Sequence, residues 1–97
     1  MRYEIVFTPE AHDDFKNLDA RLKANVRTAM ETHLRHEPEK ESKSRIKKLR
    51  GMKRPQFRLR VDEIRVFYDV FKGEVQILGI IPKSGAEEWL ENAGESE

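Results

Sequence analysis

Three arginines, Arg58, Arg60 and Arg65, sit in two segments of alternating apolar and polar residues, Phe57-Arg58-Leu59-Arg60-Val61 and Ile64-Arg65-Val66-Phe67-Tyr68, joined by Asp62-Glu63. A hairpin closing symmetrically on that dipeptide pairs Val61 with Ile64, Arg60 with Arg65, Leu59 with Val66 and Arg58 with Phe67, which turns all three guanidinium groups to one face. Like charges directly opposite on a sheet destabilise it by about a few tenths of a kcal/mol, and an anion held between them reverses the sign. The simpler account is that the outer face of a half-solvated hairpin must be polar, but it explains three clustered arginines less well than one. Arginine's planar fork matches phosphate and its charge is constant near neutral pH. This cluster could therefore hold an RNA backbone and stabilise charge developing at phosphorus, but not shuttle a proton.

Other chemistries find less support. Cysteine is absent, which excludes disulfides, thiolate nucleophiles and cysteine-based zinc sites and suits a reducing, cytoplasmic setting. His33 and His36 lie three apart near a helix end with Glu37 and Glu39 nearby, and they read as helix-end residues rather than metal ligands. No serine or threonine has a triad partner, and no glycine loop could cradle a nucleotide. No metal or cofactor is called for. Tyr3 and Tyr68 fall on apolar strand faces and read as core. Trp89 reads either as a packing anchor beside Leu90 and Ala93 or as a surface on which a base stacks.

Charge is unevenly spread. The net charge is only +1, yet ten bases and two acids lie between Lys43 and Arg65, and five acids and no base follow Lys83. Such a basic segment calls for an anionic partner.

The elements that must position these residues are legible from periodicity. Tyr3, Ile5 and Phe7 alternate as a strand. Thr8-Pro9 reads as a helix N-cap and first position, with Ala11, Phe15 and Leu18 as the apolar stripe. Asp19 caps a second helix striped by Leu22, Val26, Ala29, Met30, His33 and Leu34 and ended near Pro38. Residues 37–54 read as an irregular surface connection anchored by Ile46, Leu49 and Met52, with a turn or tight approach at Gly51. Period two returns at Phe57, Leu59 and Val61, then Ile64, Val66, Tyr68 and Val70, then Val75, Ile77, Gly79 and Ile81, with Lys72-Gly73 as the second turn. Ser84 to Glu87 matches a capping box and Gly94 a C-terminal stop for a last short helix. The expectation is a single α+β domain over residues 1–97: a small antiparallel β-sheet built from a first strand and a three-stranded meander. A helical hairpin covers one face and a short C-terminal helix lies near the other. The strand-like start is not that expected of a signal peptide, and the sequence has no apolar run of membrane length.

The succession Lys47-Lys48-Leu49-Arg50-Gly51, Phe57-Arg58-Leu59-Arg60-Val61, Ile64-Arg65-Val66-Phe67-Tyr68 and Val75-Gln76-Ile77-Leu78, in this element order, resembles the RelE/ParE superfamily of toxins from type II toxin-antitoxin systems. Resemblance to RelE implies a ribosome-dependent messenger RNA endoribonuclease that works without metal: the substrate's own 2′-hydroxyl attacks the adjacent phosphate. By position, Arg58 resembles the basic residue of the family's second strand, Arg65 the arginine of the third, and Lys83 the basic residue after the fourth; with Arg60 they would hold the scissile phosphate. Lys47, Lys48, Arg50, Lys53 and Arg54, with Trp89, would contact messenger or ribosomal RNA. The resemblance also implies an acidic antitoxin laid over the basic face, in a toxin-antitoxin hetero-oligomer, and a cytoplasmic protein working at the ribosome without a membrane. At the spacing from Lys83 where RelE carries a catalytic tyrosine this chain has Trp89, and an indole exchanges no proton near neutral pH. That departure keeps two alternatives open: a ParE-like poison that binds DNA gyrase, and a catalytically weakened RNA- or protein-binding module.

Overall fold

The computed structural model describes residues 1–97. The chain runs β1 (Glu4–Phe7), α1 (Pro9–Lys16), α2 (Ala20–Leu34), β2 (Ile46–Lys48), β3 (Met52–Arg54), β4 (Phe57–Val61), β5 (Ile64–Phe71), β6 (Glu74–Pro82), a 3-10 turn (Lys83–Gly85), α3 (Ala86–Ala93) and β7 (Glu95–Ser96). Both early helices start as their residue types dictate. The Thr8 hydroxyl accepts from the Ala11 amide at 3.1 Å and Asp19 Oδ1 from the Leu22 amide at 2.8 Å, each satisfying an amide that the helix leaves open.

Five strands form the main sheet in the order β1-β6-β5-β4-β2. The meander has the expected hairpin register, with Arg60 opposite Arg65 and Arg58 opposite Phe67. Asp62, at φ 51°, takes the left-handed conformation that aspartate tolerates, and Asn25 Nδ2 donates to its carboxylate at 3.0 Å. Lys72 and Gly73 both have positive φ, as a tight two-residue hairpin turn requires.

The α+β class holds, and the sheet is mixed. β1 runs parallel to β6, setting Ile5 beside Val75 and Phe7 beside Ile77, because the helical hairpin carries the chain across the sheet before the meander begins. The stretch expected to be irregular contributes β2, where Ile46 is buried opposite Leu59, and β3, which pairs with the tail strand β7. Gly51, at φ 73°, makes the turn between β2 and β3.

A β-bulge overturns one expectation of parity. Phe67 pairs with Gly79 and Tyr68 with Ile77, so Leu78 is the extra residue on β6. Beyond it the faces exchange: Ile80 enters the core, while Gly79 and Ile81, expected on the apolar face, lie on the arginine side opposite Phe67 and Arg65.

The core sits between the helical hairpin and the inner sheet face, joining Val26, Met30 and Leu34 to Leu59, Val66, Tyr68, Val75 and Ile77. Tyr68 is fully buried, stacked on Phe57, and its hydroxyl donates to the Pro38 carbonyl at 2.6 Å. Burial first, and the Glu39 charge second, push its phenol well above the ordinary range, so it is a neutral donor there. Tyr68→Phe leaves that carbonyl without its donor, an expected loss of about 1–3 kcal/mol. At ~4–8 °C per kcal/mol for a chain of this size, thermal melting should show a midpoint lowered by several degrees.

Candidate functional site

The outer face of the sheet carries the arginines, and α3 packs against it. The Trp89 ring stacks on Phe67 with centroids 4.8 Å apart and planes 10° apart. Gly79 makes this fit possible, since a Cβ there would lie 2.5 Å from the indole Cζ2. Beside the stack, a groove of about 390 Å³ runs between the sheet and the entry to α3. Arg58 from β4, Arg65 and Phe67 from β5, Lys83 and Ser84 from the 3-10 turn, and Ala86, Glu87 and Leu90 from α3 line it, together with Leu49.

Strand pairing and burial give the two arginines different roles. Arg65 is 7% exposed, and its Nη1 donates to the carbonyls of Asp62 at 2.9 Å and Ile64 at 3.1 Å, so one edge of its guanidinium is fixed by the hairpin turn. Arg58 has no such support: its Nε is buried without an acceptor. Desolvation, followed by the charges of Arg65 and then Arg60, disfavours its cation and pulls its pKa below the ordinary arginine value. A buried unpaired donor flanked by like charges is unfavourable until an anion enters.

Lys83 lines the groove from the 3-10 turn; its amide donates to the Glu63 carbonyl at 2.7 Å, which ties that turn to the arginine hairpin. The structure thus brings Arg58, Arg65 and Lys83 together. Arg60 lies opposite Arg65 but is exposed and outside the groove. Lys47 pairs with Arg58 and shares its face, whereas Lys48 pairs with Phe57 and therefore falls on the opposite parity. Arg50 and Lys53 are exposed on the β2–β3 turn and on β3. Arg54 is committed to Asp69, with Nε 3.0 Å from Oδ2.

Two features of this region escape a reading of residue patterns. The capping box does not form: α3 is capped by Gly85 without a side-chain hydrogen bond, and Ser84 belongs to the preceding 3-10 turn and faces the groove. Glu87 also lines the groove. The available signal was helical spacing, because Lys83, Glu87 and Leu90 are four and then three residues apart and fall on one side of a helical turn.

A second cavity, also about 390 Å³, opens on the helical side between Ile5, Phe7, Phe15 and Met30. Its cations are engaged: Arg27 lies 5.4 Å from the Phe15 ring centroid, and Arg35 pairs with Glu31 and donates to the Tyr3 carbonyl at 3.0 Å. It is less suited to a phosphate than the groove beneath α3. No helix is long and apolar enough to cross a membrane.

Comparison with known proteins agrees with this architecture. Residues 5–86 match the family model described as the ParE toxin of the type II toxin-antitoxin system parDE. Among solved structures, a chain of the RelB-RelE antitoxin-toxin complex from Methanococcus jannaschii superposes with a TM-score of 0.67 at 15% identity, covering 87% of this chain and 96% of that one. The YoeB dimer from Staphylococcus aureus gives a TM-score of 0.63 at 21% identity, covering 82% and 95%. No curated protein sequence matches. The structural likenesses carry the fold, and the family match spans most of the chain: it belongs to the ParE toxin family, within the RelE/ParE superfamily of type II toxin-antitoxin toxins.

Proposed function

We propose that this toxin inhibits growth by cleaving messenger RNA at the ribosome, in the cytoplasm, with the scissile phosphate held in the groove between Arg58, Arg65 and Lys83. The observation that carries this reading is the buried, unpartnered Nε of Arg58 beside a second arginine. A phosphodiester supplies the acceptor that Arg58 lacks and neutralises the repulsion around it, and the same contacts strengthen as negative charge builds on phosphorus. Attack by the substrate's own 2′-hydroxyl needs positioning and charge stabilisation above all, which the anchored Arg65, together with Arg58 and Lys83, supplies. Arg60 and Lys47, adjacent on the same face, extend the track for the RNA backbone, and Arg50 and Lys53 add exposed charge beyond it.

The cognate antitoxin, in this reading, covers the basic face with an acidic segment and so competes for the groove. That is consistent with a similar fold occurring in an antitoxin-toxin complex.

A second reading, poisoning of DNA gyrase by binding, is favoured by the ParE family match. Induction in cells separates the two. Codon-phased message ends with intact DNA support the nuclease; gyrase-linked DNA breaks and an SOS response with uncut messages would replace it.

A further inference from the structure

The groove's cations explain how a phosphate is held but not where the attacking proton goes. Arg58 and Arg65 carry hydrogen-bond donors and no acceptor atom, and Trp89, stacked on Phe67, likewise only donates. Among the lining residues Glu87 is the one carboxylate. It stands in the first turn of α3, one helical turn beyond Lys83, and forms no ion pair although three cations share its groove. Glu87 is exposed on its solvent side, so its protonation can be reset from water.

We infer that Glu87 is the general base of this toxin, accepting the proton of the ribose 2′-hydroxyl as that oxygen attacks the phosphate held by Arg58, Arg65 and Lys83. The inference rests on the RNA-cleavage reading of the groove. In the step, the 2′-oxygen forms a bond to phosphorus and its proton passes to the Glu87 carboxylate. The bond from phosphorus to the 5′-oxygen breaks, and that oxygen takes a proton from water at the open mouth. The products are a 2′,3′-cyclic phosphate and a 5′-hydroxyl, and Glu87 returns its proton to solvent. A carboxylate among cations suits this task because the cations hold the substrate while the one carboxylate of the lining faces the same space.

The test is single-turnover cleavage of a message on purified ribosomes by the full chain and by Glu87→Gln, Glu87→Ala and Glu91→Gln, with RNA retention measured in parallel. Glu87→Gln keeps the size and polarity of the side chain, and Glu91 lies on the next turn of α3 and does not line the groove. The expected result is a rate loss of about a hundredfold or more in Glu87→Gln. RNA binding should be unchanged or tighter, Glu91→Gln should match wild type, and added formate should partly restore Glu87→Ala. Cleavage by Glu87→Gln within threefold of wild type overturns the role of Glu87 alone, as does a rate loss matched by an equal loss of RNA binding. A wild-type chain that leaves the message uncut overturns both this role and the RNA-cleavage reading.

Discussion

Arg58→Met should abolish growth inhibition and leave the protein at least as stable as wild type. The two halves of this expectation come from the same atoms. In the free protein the Arg58 guanidinium is partly desolvated, its Nε has no acceptor, and Arg65 and Arg60 repel it. The folded state therefore disfavours this cation relative to the unfolded chain, and a flexible apolar side chain of similar length removes the penalty while filling the same space. Losing a preorganised donor at the reacting phosphate, by contrast, lowers the rate by a factor on the order of 10²–10³. Thermal melting should give an equal or higher midpoint, and colony formation after induction should be restored. A variant that remains fully toxic, or one that melts well below wild type, contradicts this account of Arg58. Arg65 cannot provide so clean a separation. Arg65→Ala removes the guanidinium and also the donor to the Asp62 and Ile64 carbonyls, so lost toxicity would be mixed with a loosened hairpin turn.

Gly79→Val should have the largest structural effect. The strand backbone at Gly79 is fixed by its pairing with Phe67, and a Cβ added there meets Trp89 Cζ2 at 2.5 Å and Cε2 at 2.8 Å. The sheet cannot yield, so α3 must. Overpacking of this kind costs about 1–3 kcal/mol. Losing the stack of Trp89 on Phe67 adds ~0.5–1.5 kcal/mol. The wall of the groove formed by Ala86, Glu87 and Leu90 moves with the helix. Trp89 is the only tryptophan in the chain, so its fluorescence reports this displacement directly. The expected outcome is a red-shifted emission, a lowered melting midpoint and lost growth inhibition; unchanged emission would show that Gly79 does not set the position of α3.

The arginine face was legible in the sequence because hairpin register follows from period-two alternation and a two-residue turn, and both are strong in residues 57–68. The far end of β6 was not. In Ile77-Leu78-Gly79-Ile80-Ile81 every side chain present is apolar, so alternation carries no information about which residues face inward. The bulge at Leu78 decides it and sends Ile80 to the core, and Gly79 and Ile81 to the arginine side. β2 was hidden for a different reason: a three-residue strand is too short to show a period, and only its buried Ile46 hinted at it. The parallel pairing of β1 with β6 depends on the path of the helical hairpin, which strand composition does not encode. Within the groove, Lys83 is marked by family resemblance rather than by any local pattern. By sequence Glu87 fits a helix cap, a local role that the 3-10 turn at Lys83–Gly85 displaces. By sequence Trp89 suits either packing or base stacking, and the structure engages one face of its ring with Phe67.

The central claim is that the groove beneath α3 acts on an RNA phosphate, and the chemistry of the product ends tests it most directly. Purified ribosomes programmed with a defined message should be incubated with the wild-type chain and with Arg58→Met, and both new ends identified. Wild type should release fragments bearing a 2′,3′-cyclic phosphate and a 5′-hydroxyl, while Arg58→Met leaves the message whole. An intact message with wild-type protein, together with gyrase-dependent breakage of DNA by the same preparation, would contradict the account.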